Sequence, residues 1–116
     1  MESARLPGAD FGGVKLDSAN FRAAVLTRAD FQGSASCRNT VFEDAALEYT
    51  QLERVNATGA NFDRAVLHKS VLDSAILTDA SFAAAELDEA KLVQCSSVER
   101  RIACVSRADA VWRGVV

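Results

Sequence analysis

The chain has one histidine, His68, and it stands 20 residues after Glu48 and 20 before Asp88. A histidine between two carboxylates has the groups to move a proton or to hold a cation. Three cysteines, Cys37, Cys95 and Cys104, are the other soft ligands. Their odd count, with no CxxC spacing, fits neither a disulfide framework nor a zinc site. Serines and threonines are frequent, yet no nucleophile–base pair, phosphate loop or metal-ligand cluster can be assembled from the sequence. A metal centre also asks for a third or fourth convergent ligand inside an enclosure. The expectation is no enzyme, no cofactor and no metal site, with His68 in a surface ion pair.

Composition agrees with that reading. The 116 residues allow one domain of ordinary size. Hydrophobic residues make up 49% and charged ones 25%, the balance of a folded soluble chain. No apolar run approaches the ~18 residues of a membrane span, so direct membrane insertion is not expected. A net charge of −3 gives no attraction for nucleic acid phosphates. Residues 41–90 hold three basic and ten acidic side chains, a local net of −7, between two weakly basic ends. That acidic belt reads as a solvated surface. Met1-Glu2-Ser3-Ala4-Arg5 has neither an apolar core nor a basic amphipathic pattern. As written, the chain is expected in the cytoplasm with reduced thiols.

The elements that must carry these residues follow from a repeat. Large apolar residues recur every five positions: Leu6, Phe11, Leu16, Phe21, Leu26 and Phe31. After one extra residue between Gln32 and Thr40 the series resumes at Phe42, Leu47 and Leu52. Ala57 weakens it, and Phe62, Leu67, Leu72, Leu77, Phe82, Leu87 and Leu92 complete it. A small or β-branched residue sits two positions before each, from Ala9 and Val14 to Ala85 and Ala90. A helix at ~100° per residue smears a period of five around its axis. A flat strand sends alternate members to opposite faces. Only a chain that turns by a constant angle every five residues keeps one series inside, and a right angle closes a square after four units.

Residue types support a 20-residue coil stacked on itself. Phe21, Phe42, Phe62 and Phe82 form one file, and Leu26, Leu47, Leu67 and Leu87 a second. Phe11, Phe31, Leu52, Leu72 and Leu92 form a third, while Leu16, Cys37, Ala57 and Leu77 form an irregular fourth. Like stacks on like, as a solenoid requires. Cys37 falls inward beside the extra residue, as a small apolar filler.

The units Ala9-Asp10-Phe11, Ala19-Asn20-Phe21, Ala29-Asp30-Phe31 and Ala60-Asn61-Phe62 resemble those of pentapeptide-repeat proteins. The resemblance covers residues 4–94. It implies an all-β solenoid, a right-handed quadrilateral β-helix of about four and a half coils, and at ~4.8 Å per coil a rod ~20 Å long. Residues 95–116 lose the five-residue period. Ser96-Ser97-Val98-Glu99 has a capping-box pattern, and Val98, Ile102 and Val105 share one helical face. The expectation is a short C-terminal helical cap over the last coil, or a homodimer contact through Ile102, Trp112, Val115 and Val116. Lumenal relatives of this family carry a disulfide near such helices. One continuous helix would hold Cys95 and Cys104 ~13 Å apart, so a bridge between them needs a break or a fold-back, and both states stay open.

For function the resemblance implies a non-catalytic protein–protein interaction or scaffold module, an accessory subunit of a larger complex, photosynthetic ones included. The alternative is a DNA-mimicking protein that binds DNA gyrase and confers quinolone resistance. Thylakoid lumen or plastid is the expected compartment for a processed chain. The partner is expected to be another protein, not nucleic acid. In this geometry the residue before each large one points outward, where Asp or Asn is usual for the family. Val25, Ala46 and Val66 occupy that place at spacings of 21 and 20, with Val71 and Ile76 continuing around two corners. These five residues are the candidate partner-binding stripe, rimmed by Glu48 and Glu86.

Overall fold

A computed structural model describes residues 2–33 and 36–92. The cap expected at 95–116, the contact residues Ile102, Trp112, Val115 and Val116, and the Cys95–Cys104 pair lie outside the described residues.

Each five-residue unit does the same four things. Its first residue forms an isolated parallel bridge to the coils on either side. Its second, large and apolar, turns into the core. The next two make a corner, and the fifth, small, turns inward again. The corner is closed by a four-residue turn, as in Ala45 N–H to the Phe42 carbonyl at 3.0 Å. The third residue of every described turn has positive φ, as a type II turn demands. Fourteen of these residues are not glycine, among them Ala23, Asp44, Tyr49 and Ala84. That conformation costs an L residue roughly 1–2 kcal/mol. The compensation is a bond between coils: the Asp44 N–H donates to the Asp63 carbonyl at 2.9 Å, and Tyr49 to His68 at 3.0 Å.

Two more backbone bonds join successive coils at each side. Phe42 N–H donates to the Asn61 carbonyl at 2.7 Å, and Asn61 N–H donates back to Thr40 at 2.9 Å. The four sides therefore run as columns of outward residues. One reads Arg5, Val25, Ala46, Val66, Glu86; the next Asp10, Asp30, Gln51, Val71, Lys91. The third reads Lys15, Ser36, Asn56, Ile76, and the fourth Asn20, Val41, Asn61, Ser81. The chain is a quadrilateral β-helix, with the four files where the spacing of 20 places them. The extra residue lies between Phe31 and Ser36, since Ser36 takes the bridge position over Lys15.

Inside, Phe21, Phe42, Phe62 and Phe82 stack flat, with ring centroids 5.6, 5.0 and 4.7 Å apart. Phe11 stacks on Phe31 at 4.9 Å in the neighbouring file, and Phe31 meets Phe42 edge-on at 5.9 Å. Hydroxyls at small inward positions are satisfied locally: Thr50 and Ser70 donate to the carbonyls of Leu47 and Leu67, each at 2.8 Å. The first coil differs. Leu6, Phe11, Leu16 and Ala19 are only half-buried, and Val14, at the small inward position of its unit, is 42% exposed, because no described coil lies on their N-terminal side.

Candidate interaction surface

Asp and Asn at the outward position have a local job. The side-chain oxygens of Asp10, Asn20, Asp30, Asn56 and Asn61 each accept the N–H two residues on, at 2.8–3.2 Å. These Asx turns cap the corner. On the Val25 side three successive coils give up that cap, since Val25, Ala46 and Val66 have no oxygen to offer. The three are half-buried and bridged directly to one another, so they form a contiguous apolar column. Val71 and Ile76 hold the same outward position on the next two sides. Val71 stands between Gln51 and Lys91 on the second side, and Ile76, 37% exposed, follows Asn56 on the third.

Charged and aromatic groups flank the column on both corners. On one, Arg64 forms a two-point pair with Asp44, Nε to Oδ1 at 2.9 Å and Nη2 to Oδ2 at 3.3 Å. Arg64 Nη2 also lies 2.9 Å from Glu43, and Arg22 Nε lies 3.3 Å from the same carboxylate. The Arg64 hydrogen bond, with the charges of Arg64 and Arg22 behind it, holds Asp44 below its usual 3.8, and the two carboxylates keep Arg64 charged. On the other corner Tyr49, 41% exposed, has the Arg28 guanidinium 4.7 Å and the Lys69 ammonium 5.7 Å from its ring centroid. Spacings of 21 and 20 along one corner predict that stack. Every corner shares the spacing, so only the residue types set it apart.

His68 does sit against two surface carboxylates, Asp88 as expected and Glu86 in place of Glu48. Its Nε2 lies 3.1 Å from Glu86 and its Nδ1 3.7 Å from Asp88. Glu48 is not among these partners, and its Oε2 is buried without a hydrogen bond. The reason is the direction of the stack. Corner residues reach toward the following coil, as Asp63 does when it accepts the Ser81 hydroxyl and the Ala83 N–H. Asp17 does the same with the Ser36 hydroxyl at 2.6 Å and the Arg38 N–H at 2.9 Å, and these two bonds pull its pKa down. His68 thus meets Glu86 at a spacing of 18 as well as Asp88 at 20. Among the described residues no group of three His, Cys, Asp or Glu side chains could hold a metal ion. Cys37 is inward, fully buried and free, and burial pushes its thiol up to about 12.

A square solenoid of five-residue units, capped by Asx turns, defines the class of protein. The pentapeptide repeats family profile, in eight copies, matches residues 2–34, 35–73 and 60–96. The chain belongs to the pentapeptide repeat family. Solved relatives extend the likeness to the fold, which is the right-handed quadrilateral β-helix. A pentapeptide repeat protein from the Arabidopsis thaliana thylakoid lumen aligns over 98% of this chain and 61% of its own, with 23% identity and a TM-score of 0.57. One from the cyanobacterium Cyanothece aligns over 97% of this chain and 79% of its own, with 21% identity and a TM-score of 0.66. This chain thus spans about three fifths of the Arabidopsis structure. No curated protein matches the sequence.

Proposed function

We propose that this chain is a non-catalytic interaction module that docks a protein partner through the Val25 side of the rod. One observation carries the reading. Val25, Ala46 and Val66 stand where five other units place a corner-capping Asp or Asn. An outward apolar side chain adds nothing to the core and forgoes a local hydrogen bond, a contribution of the order of 0.5–1 kcal/mol. Three such exchanges in register make a column that only a contact from outside can use. The flanks suit that role, since tyrosine and arginine are the side chains that anchor protein interfaces. Arg64 is already held by two carboxylates, which limits the ordering cost on contact.

The test is a comparison of full-length protein with the double variant Val25→Asp, Val66→Asp as baits in extract from the native source. The variant is expected to lose the protein that the native chain retains, with a melting temperature within a few degrees. Equal capture by both baits, or collapse of the variant's fold, would overturn the assignment of this side.

A further inference from the structure

We infer that the occupant of this column is a second copy of the chain, lying side by side with the first and antiparallel to it. The inference rests on the docking role proposed above and names the partner. From coil to coil the column reads Arg5, Val25, Ala46, Val66, Glu86. The order is cation, apolar, alanine, apolar, anion, and reversal turns it into its own complement. A two-fold axis in the plane of this side, passing at Ala46, sets Arg5 opposite Glu86 of the second copy. Val25 then meets Val66 at both ends, and Ala46 meets Ala46, the smallest pair at the closest approach.

Charge selects the direction. Parallel rods would set Arg5 on Arg5 and Glu86 on Glu86, and like charges in register are rejected. It also selects the side. The second column, Asp10, Asp30, Gln51, Val71, Lys91, carries opposite charges at its ends too. Reversed on itself, however, it lays Asp30 on Val71 and desolvates a carboxylate against an apolar group. The remaining two columns, Lys15 to Ile76 and Asn20 to Ser81, carry no opposite charge at their far ends and no apolar run. His68, 3.1 Å from Glu86, holds the anionic end of the column at its edge. A two-fold contact uses the same patch on both copies and closes at two. One side of so short a rod is a small interface, and Glu43 and Glu48, in the coil of Ala46, would each face their own counterparts beside the axis. Association is therefore weak.

Sedimentation equilibrium of the full chain, from about 10 µM to 1 mM in low salt, tests this. The native chain is expected to pass from monomer to dimer across that range, and to shift back toward monomer as salt is raised. Arg5→Glu and Glu86→Arg should each stay monomeric, at least tenfold weaker. The two single variants mixed together should associate, because each supplies the charges the other lacks, and the double variant should dimerise as the native chain does. Circular dichroism checks that every variant is folded. A native chain that is monomeric at 1 mM overturns the inference. So does a dimer that survives both single variants, including one lost only on Trp112→Ala. Loss of a different captured protein by Val25→Asp, Val66→Asp, with the native chain monomeric, would leave the docking side standing and remove the second copy from it.

Discussion

The Phe62 ring lies flat against the Phe82 ring, centroids 4.7 Å apart and planes 11° from parallel. Phe42 covers the opposite face of Phe62 at 5.0 Å. Phe62 is thus held between two rings, at full burial, in the middle of the file.

Removing that ring should be expensive. Phe62→Ala leaves a void between two coils whose backbones are bonded to each other and cannot close it. The expected loss is about 3–5 kcal/mol, read from denaturant unfolding. A loss below about 1 kcal/mol would mean that the file does not carry the core.

Cys37 should be chemically silent in the folded chain. Its thiol is raised to about 12 by burial, so almost none is thiolate near pH 8. A thiol reagent should label Cys37 only as fast as the rod opens, and denaturant should make it react at once. Mass mapping of the labelled peptide distinguishes it from the other two cysteines. Fast labelling of Cys37 in native buffer would contradict its placement.

Acid should weaken the corner clamp at Asp44. Its pKa lies below the usual 3.8, chiefly because of the Arg64 hydrogen bond. The folded state therefore binds a proton less readily than the unfolded one, and stability falls as pH drops below about 4. Asp44→Asn should flatten that part of the stability–pH curve and leave the curve near neutrality with the same shape. An unchanged acid limb would show that the clamp adds nothing.

Corner strain gives a prediction of opposite sign. Ala84 has φ of 56° and is exposed. Ala84→Gly relieves a left-handed penalty of roughly 1–2 kcal/mol and adds up to ~1 kcal/mol of unfolded-state entropy. Thermal melts should show a small net stabilisation, about 0.5 kcal/mol. A clear destabilisation would mean that the Ala84 methyl is doing more than tolerating its corner.

Much of the fold is legible in the sequence because a solenoid repeats its instructions. The period of five sets the corners, and the spacing of 20 puts Phe42 on Phe62 and Val66 on Ala46. The Asx caps of Asp10 and Asn61 explain the most recognisable letters of the repeat. What stays hidden is what breaks register. His68 finds Glu86 at a spacing of 18 because corner side chains lean toward the next coil. Positive φ at Tyr49 and Arg64 is invisible, since the residue types there do not announce it. Within one side the apolar column runs from Val25 to Val66. Val71 and Ile76 share its outward position but stand on sides whose other members are polar.

On the proposed function, Val25 and Val66 serve a contact and not the fold. Val25→Asn with Val66→Asn tests it most directly, because asparagine restores the corner cap that five other units possess. Calorimetry of the double variant should show stability equal to or above the native chain, by up to about 1 kcal/mol. The same protein should no longer associate through this side. A double variant that is clearly less stable, and that still binds, would show that the two valines belong to the rod's own strand packing and that the interface lies elsewhere.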